Sequence, residues 1–401
     1  VYLHMNHPDI MRFLDTKREN ADEKIRIKTL SMGIVVPDVA FRLAKENKDM
    51  ALFSPYGLQK YYHENLADIG VSARYDELAA DDRIVVGHVN VRKLFTTIAE
   101  LQFESGYPFL VFEDTVNKAN PLAGRIVMSN LCSEILQIQE PSSYHADLSY
   151  EHVGLDVSCN LGSLNIAHAF ENGHLGDTID TAMRSLVRVS EITDTSSVPS
   201  LQRANDTMHT VGLGQMNLHG FLMSHGLQYG STEALDFVDA YFRTVAYHAY
   251  KANNAMAREK HASFAGFERS KYADGSYFDR FIERSNPIST DAVKALFAQY
   301  HVQVPSAEDW EALKNDVIES GLYAGYQMAV PPTGSISYLS GATSSIHPVA
   351  AAIEIRKEGK TGRVYYPAYG LTNENVNEYK DAYQIGPRAI IDTYAAAQPY
   401  V

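Results

Sequence analysis

Helical and strand-like segments alternate along this chain, and no stretch rich in Gly and Ser or in Pro separates them. Apolar residues recur at helical spacing over 39–47, 91–105, 178–191, 235–261 and 307–320. Short apolar runs at 30–36 and 109–112 have the length and composition of strands. Such alternation is typical of helices layered on parallel strands. The pattern therefore predicts an α/β fold with no internal domain boundary.

Length and apolar content allow a large core, since the chain has 401 residues of which 45% are hydrophobic. Its apolar stretches fall short of the roughly 20 residues that span a bilayer, and no signal peptide is apparent. Two cysteines, Cys132 and Cys159, cannot build a disulfide framework. These features predict a soluble, cytoplasmic protein that does not bind membranes.

The formal net charge of −14 argues against a polyanionic partner. A chain with this excess of acidic residues offers no broad basic face, so we expect no nucleic-acid binding. A small phosphorylated ligand is still compatible with the composition, because local backbone amides bind phosphate whatever the net charge.

Both ends of the chain look like the interior of a protein. The sequence starts at Val1, without Met, in a strand-like run, and stops at Val401 directly after a helical pattern. Natural termini are usually polar and frayed. The ends therefore predict an internal piece of a longer protein.

The segment SNLCSE at 129–134 places an amide, a thiol and a carboxylate at every second residue. In extended backbone these side chains point the same way, so Asn130, Cys132 and Glu134 would converge on one small volume. The carboxylate would raise the pKa of the thiol, which favours a neutral S–H that gives up a hydrogen atom over a thiolate nucleophile. A buried cysteine beside a capping Asn and a surface Glu is the purely structural alternative.

Other cysteine chemistries find less support. No histidine base lies near Cys132 in the sequence, although one could approach it in space. The chain has no CxxC pair, so we predict no metal site.

Two further segments contain glycines in turn-like surroundings. In AVPPTGSIS at 329–337, an apolar run leads into a turn whose N–H groups and hydroxyls could bind an anion if a helix begins there, although an ordinary turn has the same composition. In VGLGQMNLHG at 211–220 the spacing is not G-x-G-x-x-G and no clear strand precedes it, so we reject a dinucleotide site. Its glycines more simply allow close packing.

Taken in order, the motifs resemble the large catalytic subunit of class I ribonucleotide reductase, with details similar to class Ib. The motifs are SNLCSE (129–134), DVSCNLGSLN (156–165), GLGQMNLHG (212–220), PPTGSISY (331–338) and ATSSIHP (342–348). The likeness extends from HPDI (7–10) and FLDTKREN (13–20), through FESGYP (103–108), to RKEGK (356–360). It covers essentially the whole chain.

The resemblance implies a ten-stranded α/β barrel with a central finger loop that carries Cys132. Residues 1–401 would form a single catalytic barrel domain, incomplete at both ends, without the N-terminal effector region and the C-terminal tail. The activity implied is reduction of ribonucleoside diphosphates to 2′-deoxyribonucleoside diphosphates for DNA synthesis.

The resemblance also assigns roles to residues. Cys132 would become a thiyl radical that abstracts the 3′-hydrogen, Glu134 would take the 3′-hydroxyl proton, and Asn130 would position the substrate. Cys159 would belong to the cysteine pair that supplies two electrons and ends as a disulfide. The substrate would contact Asn130, Leu131, Cys132, Ser133 and Glu134, and its diphosphate would contact Pro332, Thr333, Gly334, Ser335 and Ile336.

Partners are implied in the same way. The radical would come from a dimetal centre, manganese or iron, in a small (beta) subunit, and an external thioredoxin-like or glutaredoxin-like dithiol would reduce the disulfide. The family's large subunits form homodimers. In the family the partner of Cys159 lies upstream of Val1 and the radical-relaying tyrosines lie beyond Val401, so we expect this piece to be inactive alone.

Two alternatives remain at this point. The chain could be a non-catalytic nucleotide-binding or assembly module built on the same barrel, or a related reductase that draws its radical from adenosylcobalamin. The first alternative predicts no additional cysteine and no tyrosine pair in the gene, and the second predicts activity without a small subunit.

Overall fold

The computed structural model describes residues 1–158, 160–284 and 288–401 of a chain that folds as two compact units, Val1–Val157 and Ser158–Val401. The strands of the first unit are β1 (Tyr2–His4), β2 (Gly33–Val36), β3 (Asp49–Phe53), β4 (Val85–Asn90), β5 (Phe109–Phe112), β6 (Ser143–Tyr144) and β7 (Tyr150–His152). Its helices are α1 (Ile10–Asp15), α2 (Asp38–Glu46), α3 (Pro55–Tyr62), α4 (Val71–Ala79), α5 (Val91–Ser105) and α6 (Glu113–Ala119).

The centre of the first unit is a parallel sheet in the order β1-β2-β5. Every residue of β2 is buried, as expected for the middle strand of a sheet covered on both faces. Helix α5 begins where the Asn90 side chain accepts the Lys93 N–H at 3.1 Å. Its residues Leu94, Ile98 and Leu101 are buried in the core of this unit. Because β1 and β5 both pair with β2, the sheet holds Tyr2 and the end of β5 in place.

The second unit contains the strands β8 (Leu161–Asn165), β9 (Gly212–Met216), β10 (Ile353–Glu358) and β11 (Gly362–Pro367). Its first helices are α7 (Ile166–Glu171), α8 (Leu175–Ile192), α9 (Pro199–Met208), α10 (Leu218–Ser224), α11 (Thr232–Lys260) and α12 (Ser276–Glu283). They are followed by α13 (Asp291–Gln299), α14 (Ala307–Ser320), α15 (Gly334–Leu339), α16 (Ala382–Ile385) and α17 (Pro387–Ala397).

Parallel pairing also organises the second unit. Strands β8 and β9 are parallel, and the segment before the 331–336 turn runs along β9 as a further extended segment. The Leu213 N–H donates to the Gln327 carbonyl at 2.8 Å, and the Ala329 N–H donates to the Leu213 carbonyl at 3.2 Å. Because this segment is held along β9, the turn that follows it begins at a fixed place.

The helix predictions are largely confirmed. Helices α5 and α14 and strand β5 have the predicted bounds, while α2, α8 and α11 begin one to three residues earlier than predicted. The predicted strand at 30–36 is shorter and begins at Gly33. Side-chain periodicity locates the body of a helix, whereas its first turn is set by capping groups that need not be apolar.

The α/β class is confirmed, but the ten-stranded barrel is not. Within residues 1–158, 160–284 and 288–401 the strands pair as one three-stranded sheet and four two-stranded sheets, and these do not close into a barrel. Several strands have only three to five residues, which limits the number of ladder bonds that each can make.

Candidate active site

Residues 129–135, which we call the cysteine loop, form a closed turn in the first unit. The Ser129 hydroxyl donates to the Ile135 carbonyl oxygen at 2.6 Å, and the Ile135 N–H donates to Oδ1 of Asn130 at 3.2 Å. Ile135 itself is buried. These bonds join the two ends of the loop, so residues 131–134 form its tip.

The prediction of extended backbone across this segment is wrong. Residues 131–133 form a turn, and Ser133 has φ 68°, in the left-handed region. A segment whose ends are joined by hydrogen bonds must reverse direction, which a strand cannot do. Asn130, Cys132 and Glu134 still share one small loop, but they are brought together by the turn and not by strand alternation.

The Cys132 thiol lies on the exposed tip of the loop. Partial burial raises the pKa of this thiol above its ordinary value, and the negative charge of Glu134 raises it further. The predicted repulsion between the carboxylate and the thiolate is therefore confirmed in direction, although desolvation is the larger cause. The thiol stays protonated at neutral pH, which suits hydrogen-atom chemistry better than nucleophilic attack.

Glu134 carries a carboxylate oxygen that is buried and unsatisfied. Its Oε2 accepts no hydrogen bond from the part of the chain that the structure describes. Buried oxygen acceptors almost always have a partner, so an unpaired one needs explanation. A ligand hydroxyl bound beside the loop would supply the missing donor.

Asn130 is already used inside the loop. Its Oδ1 accepts from the Ile135 N–H and, at 3.3 Å, from the Ser129 hydroxyl. The amide thus fixes the loop, a function that residue types alone did not reveal.

Tyr2 is a residue of this site that the sequence analysis missed. Its hydroxyl donates to the Asn130 carbonyl oxygen at 2.8 Å and lies 2.6 Å from the Ser133 hydroxyl. Burial raises the pKa of the Tyr2 hydroxyl, and the negative charge of Glu134 adds to this effect. Tyr2 is far in sequence from Asn130 and Ser133, so no local motif could have indicated these contacts.

A buried ionic cluster supports the segment that leads into the loop. The Glu113 carboxylate is buried, pairs with the Arg125 guanidinium, and lies 3.2 Å from Nε2 of His4. Arg125 also donates to the Ala67 carbonyl oxygen at 2.8 Å. Through these contacts the cluster connects β1, α6 and the start of the 125–130 segment. Removing one partner would leave an uncompensated charge on the buried Glu113 carboxylate, which is strongly destabilising.

The predicted diphosphate segment forms a turn in the second unit. Thr333 has φ 53°, and helix α15 begins at the next residue, Gly334. The Thr333 hydroxyl accepts the Ser345 N–H at 2.7 Å, which holds the turn against residues 343–345. Pro332, Ser335 and Ile336 are exposed. A helix does begin at this turn, so its first N–H groups lack partners within the helix.

The glycine-rich segment at 211–220 is not a phosphate loop but the fully buried strand β9 followed by α10. A Cβ on Gly214 would lie 2.5 Å from Cδ of Pro331 and 2.6 Å from the Ser163 hydroxyl. The interpretation that these glycines allow close packing is therefore confirmed. Gly214 lets Pro331, and hence the turn, lie directly on β9.

We expect Gly214→Ala to destabilise the protein by about 1–3 kcal/mol, because the methyl group must displace Pro331 or Ser163. Urea unfolding measures this change. The matched control is Gly87→Ala in β4, where the added methyl would meet only Leu52 at 3.8 Å. Equal stability of the two variants would contradict the close packing described for Gly214.

Two buried polar residues organise the other side of the turn. Asn217, at φ 72°, accepts the Thr343 N–H at 3.0 Å and donates to Asn165 at 2.9 Å. His219 accepts the Val349 N–H on Nδ1 at 3.1 Å. Burial, helped by His347, lowers the pKa of His219 to about 4. Both residues fall in a motif whose role the sequence alone did not reveal.

This histidine predicts a loss of stability in acid. His219 is neutral in the folded protein, whereas the unfolded chain binds a proton below pH ~6.5, so unfolding is favoured as the pH falls from about 6.5 to about 4. The full effect is up to about 3 kcal/mol. In His219→Asn, which keeps an acceptor but does not titrate, urea unfolding should show a shallower pH dependence than wild type. The exposed control His174→Asn should keep the wild-type slope, and identical slopes for all three proteins would contradict the assignment.

Each group of predicted residues is brought together within its own unit. Asn130, Leu131, Cys132, Ser133 and Glu134 share the cysteine loop of the first unit, and Pro332, Thr333, Gly334, Ser335 and Ile336 share the turn of the second. Cys159 lies outside the described residues.

Across 1–158, 160–284 and 288–401, no group of three or more His, Cys, Asp or Glu side chains is placed to hold a metal ion. In the same residues, no helix combines the length and apolar character needed to cross a membrane.

The parallel α/β units and the cysteine loop fit a known class of enzyme domain. Residues 1–401 match the family model described as ribonucleotide reductase, barrel domain, and the chain belongs to that family. It is 52% identical over 406 residues to the ribonucleoside-diphosphate reductase subunit alpha of Mycoplasma pneumoniae, covering 100% of this chain and 56% of that relative.

More distant relatives carry the same name. The protein of Bacillus subtilis is 40% identical over 402 residues, with 100% of this chain and 57% of the relative covered. The protein of Helicobacter pylori is 27% identical over 452 residues, with 100% and 55% covered. The chain thus spans about half the length of the curated relatives it matches.

Proposed function

We propose that this chain supplies the catalytic core of a ribonucleoside-diphosphate reductase, which makes 2′-deoxyribonucleoside diphosphates for DNA synthesis. The observation that carries the proposal is the pairing, within one closed loop, of an exposed protonated thiol with a buried carboxylate oxygen that lacks a partner. Membership of the reductase family supports the same reading.

The chemistry begins at Cys132. A thiol S–H is weak enough to be converted to a thiyl radical and to be formed again when that radical abstracts a hydrogen atom from carbon. The raised pKa of Cys132 keeps the proton on sulfur at neutral pH. We assign Cys132 as the group that removes the 3′-hydrogen of the substrate and later returns it.

Glu134 is the proposed base for the 3′-hydroxyl. Its buried Oε2 would accept that hydroxyl as a hydrogen-bond donor and then take its proton, after which the 2′-hydroxyl leaves as water. Asn130 would hold the substrate with its amide while its Oδ1 keeps the loop closed. Leu131 and Ser133, on the same tip, would border the ribose.

The diphosphate is assigned to Pro332, Thr333, Gly334, Ser335 and Ile336. The start of α15 at Gly334 supports this assignment, since N–H groups at the beginning of a helix are good donors to phosphate oxygens. The bond between Thr333 and the Ser345 N–H would keep the turn in place when phosphate binds.

The reduction takes two electrons and two protons from a dithiol. In the overall reaction, a ribonucleotide and a dithiol give a deoxyribonucleotide, a disulfide and water. Cys159 is proposed as one member of that pair. An external thioredoxin-like or glutaredoxin-like protein would reduce the disulfide by thiol exchange.

The remaining assignments follow from family membership. The relatives are named as alpha subunits, which supports a separate beta subunit. We propose that a manganese or iron pair in that subunit generates the radical. We further propose a homodimer in the cytoplasm. We also propose that the chain forms a single catalytic domain, with the ten-stranded barrel that the family resemblance implies.

The test is reduction of ribonucleoside diphosphates by the full-length gene product, mixed with the small subunit encoded with it and dithiothreitol. We expect deoxyribonucleoside diphosphate that forms only when both additions are present. Nucleotide binding without any product would overturn the proposal in favour of a binding module. Product formed with adenosylcobalamin and no small subunit would overturn the proposed radical source.

A further inference from the structure

One side chain from outside the cysteine loop holds both the loop's entry and its tip. The phenolic proton of Tyr2 is donated to the Asn130 carbonyl oxygen at 2.8 Å. With that proton committed, the 2.6 Å contact to Ser133 requires the serine hydroxyl to donate to the Tyr2 oxygen. A single phenol oxygen therefore connects the residues on either side of the Leu131-Cys132 pair.

The place of the Tyr2 ring is set by the parallel sheet. Tyr2 is the register partner of Gly33 in β2, and a Cβ at Gly33 would overlap the Tyr2 ring. The ring thus lies over a residue without a side chain, and any larger residue there would push it away. Strand β1 in turn is tied to the sheet by its ladder with β2, so the hydroxyl is presented from a rigid element.

The hydrogen bond from Ser133 to Tyr2 holds a residue whose backbone conformation is unfavourable by itself. Ser133 has φ 68°, a conformation that non-glycine residues adopt rarely without support from their surroundings. It stands between Cys132 and Glu134, so the orientation of its peptide groups decides where both functional side chains point. A hydrogen bond that restrains Ser133 therefore also restrains the backbone that carries the thiol and the carboxylate.

We propose that Tyr2 is a positioning residue for hydrogen-atom abstraction: through its hydrogen bonds to Asn130 and Ser133 it holds the loop backbone that carries Cys132 and Glu134. This inference rests on the proposed function for its consequence in catalysis. Tyr2 does not touch the reacting atoms in this account, and it acts only through the loop.

The test uses the full-length gene product carrying Tyr2→Phe, which keeps the ring over Gly33 and removes both hydrogen bonds. We expect kcat for ribonucleoside diphosphate reduction to fall about tenfold to a hundredfold, because small misplacements of reacting groups have effects of this size. The KM should stay within about twofold, since the diphosphate is assigned to a different segment. Alkylation of Cys132 by iodoacetamide, followed by peptide mass spectrometry, should become about tenfold faster. A loosened loop frees the thiol from the partial burial and the Glu134 charge that raise its pKa, and the thiolate is the form that reacts.

Gly33→Ala gives an independent route to the same change. Its methyl group displaces the Tyr2 ring, so it should reproduce the fall in kcat and the faster alkylation. Combined with Tyr2→Phe it should add little, because both variants remove the same contact.

The matched control is Tyr75→Phe in the same unit. The Tyr75 hydroxyl accepts the Ala51 N–H at 2.8 Å, so this variant also loses a buried hydrogen bond, but at a strand far in sequence from the loop. It should leave kcat and alkylation of Cys132 unchanged while lowering stability. Equal effects of the two Tyr variants would show general destabilisation and overturn the proposal.

Wild-type kcat and wild-type alkylation in Tyr2→Phe would also overturn it. The two readouts separate this inference from the proposed function. If the wild-type protein reduces no nucleotide but Tyr2→Phe still alters alkylation of Cys132, Tyr2 positions the loop and the reductase proposal alone fails.

Discussion

Cys132→Ser in the full-length gene product should abolish ribonucleoside diphosphate reduction, with a loss on the order of 10⁴-fold or more. The alcohol O–H is much stronger than the thiol S–H, so serine can neither form nor regenerate the radical that removes the 3′-hydrogen. The substitution is nearly isosteric at an exposed position, and the loop is closed by Ser129, Asn130 and Ile135 and not by the thiol. Product formation, measured by chromatography of the nucleotides, checks this result.

The control for this variant is its unfolding free energy and its binding of ribonucleoside diphosphate. Both should stay near the wild-type values, because no hydrogen bond in the loop uses the Cys132 side chain in the described structure. Reductase activity within a factor of ten of wild type in Cys132→Ser would contradict the assigned role of the thiol.

Glu134→Gln should lower kcat by about 10²–10⁴-fold, the range expected when a general base is removed. The amide keeps the size of the side chain and an oxygen at the buried position, but it cannot take the 3′-hydroxyl proton. We expect a large effect because Oε2 of Glu134 accepts no hydrogen bond from any described residue, so it is available to the substrate hydroxyl. Steady-state kinetics with saturating substrate measures the loss.

Glu140→Gln is the matched control. Glu140 lies in the same unit, and its carboxylate contacts Nε2 of His152 at 3.0 Å on the surface. Exposed pairs contribute little, and kcat should stay within about twofold of wild type. A similar loss in both variants would indicate a general effect of charge and would contradict a special role for Glu134.

The sequence predicted the fold well where a single helix face or a short apolar run decided the structure. Helix α5 was predicted from Leu94, Ile98 and Leu101, which are all buried on one face. Strand β9 was missed because its glycines have no side chains to alternate, and its burial depends on Pro331 and Ser163, which lie far away in sequence. Closure of the strands into a barrel could not be tested by periodicity, which describes one segment at a time.

For the site, the sequence predicted residue types better than geometry. The thiol and the carboxylate were placed in one site because they are neighbours in sequence. The pKa of Cys132 is raised mainly by partial burial, and the predicted effect of the Glu134 charge adds to it. The backbone conformation was predicted wrongly, since the bonds that close the loop at Ile135 compete with extended structure. Tyr2 could not be found in advance, because its contact depends on the register between β1 and β2.

Removal of the 3′-hydrogen by Cys132 can be followed with substrate labelled by tritium at C3′. Hydrogen on a thiol exchanges with water, so during turnover the full-length wild-type protein with its small subunit should release part of the label into water. Cys132→Ser should release none under the same conditions. Reduction without any release of label, or equal release by the serine variant, would contradict this account.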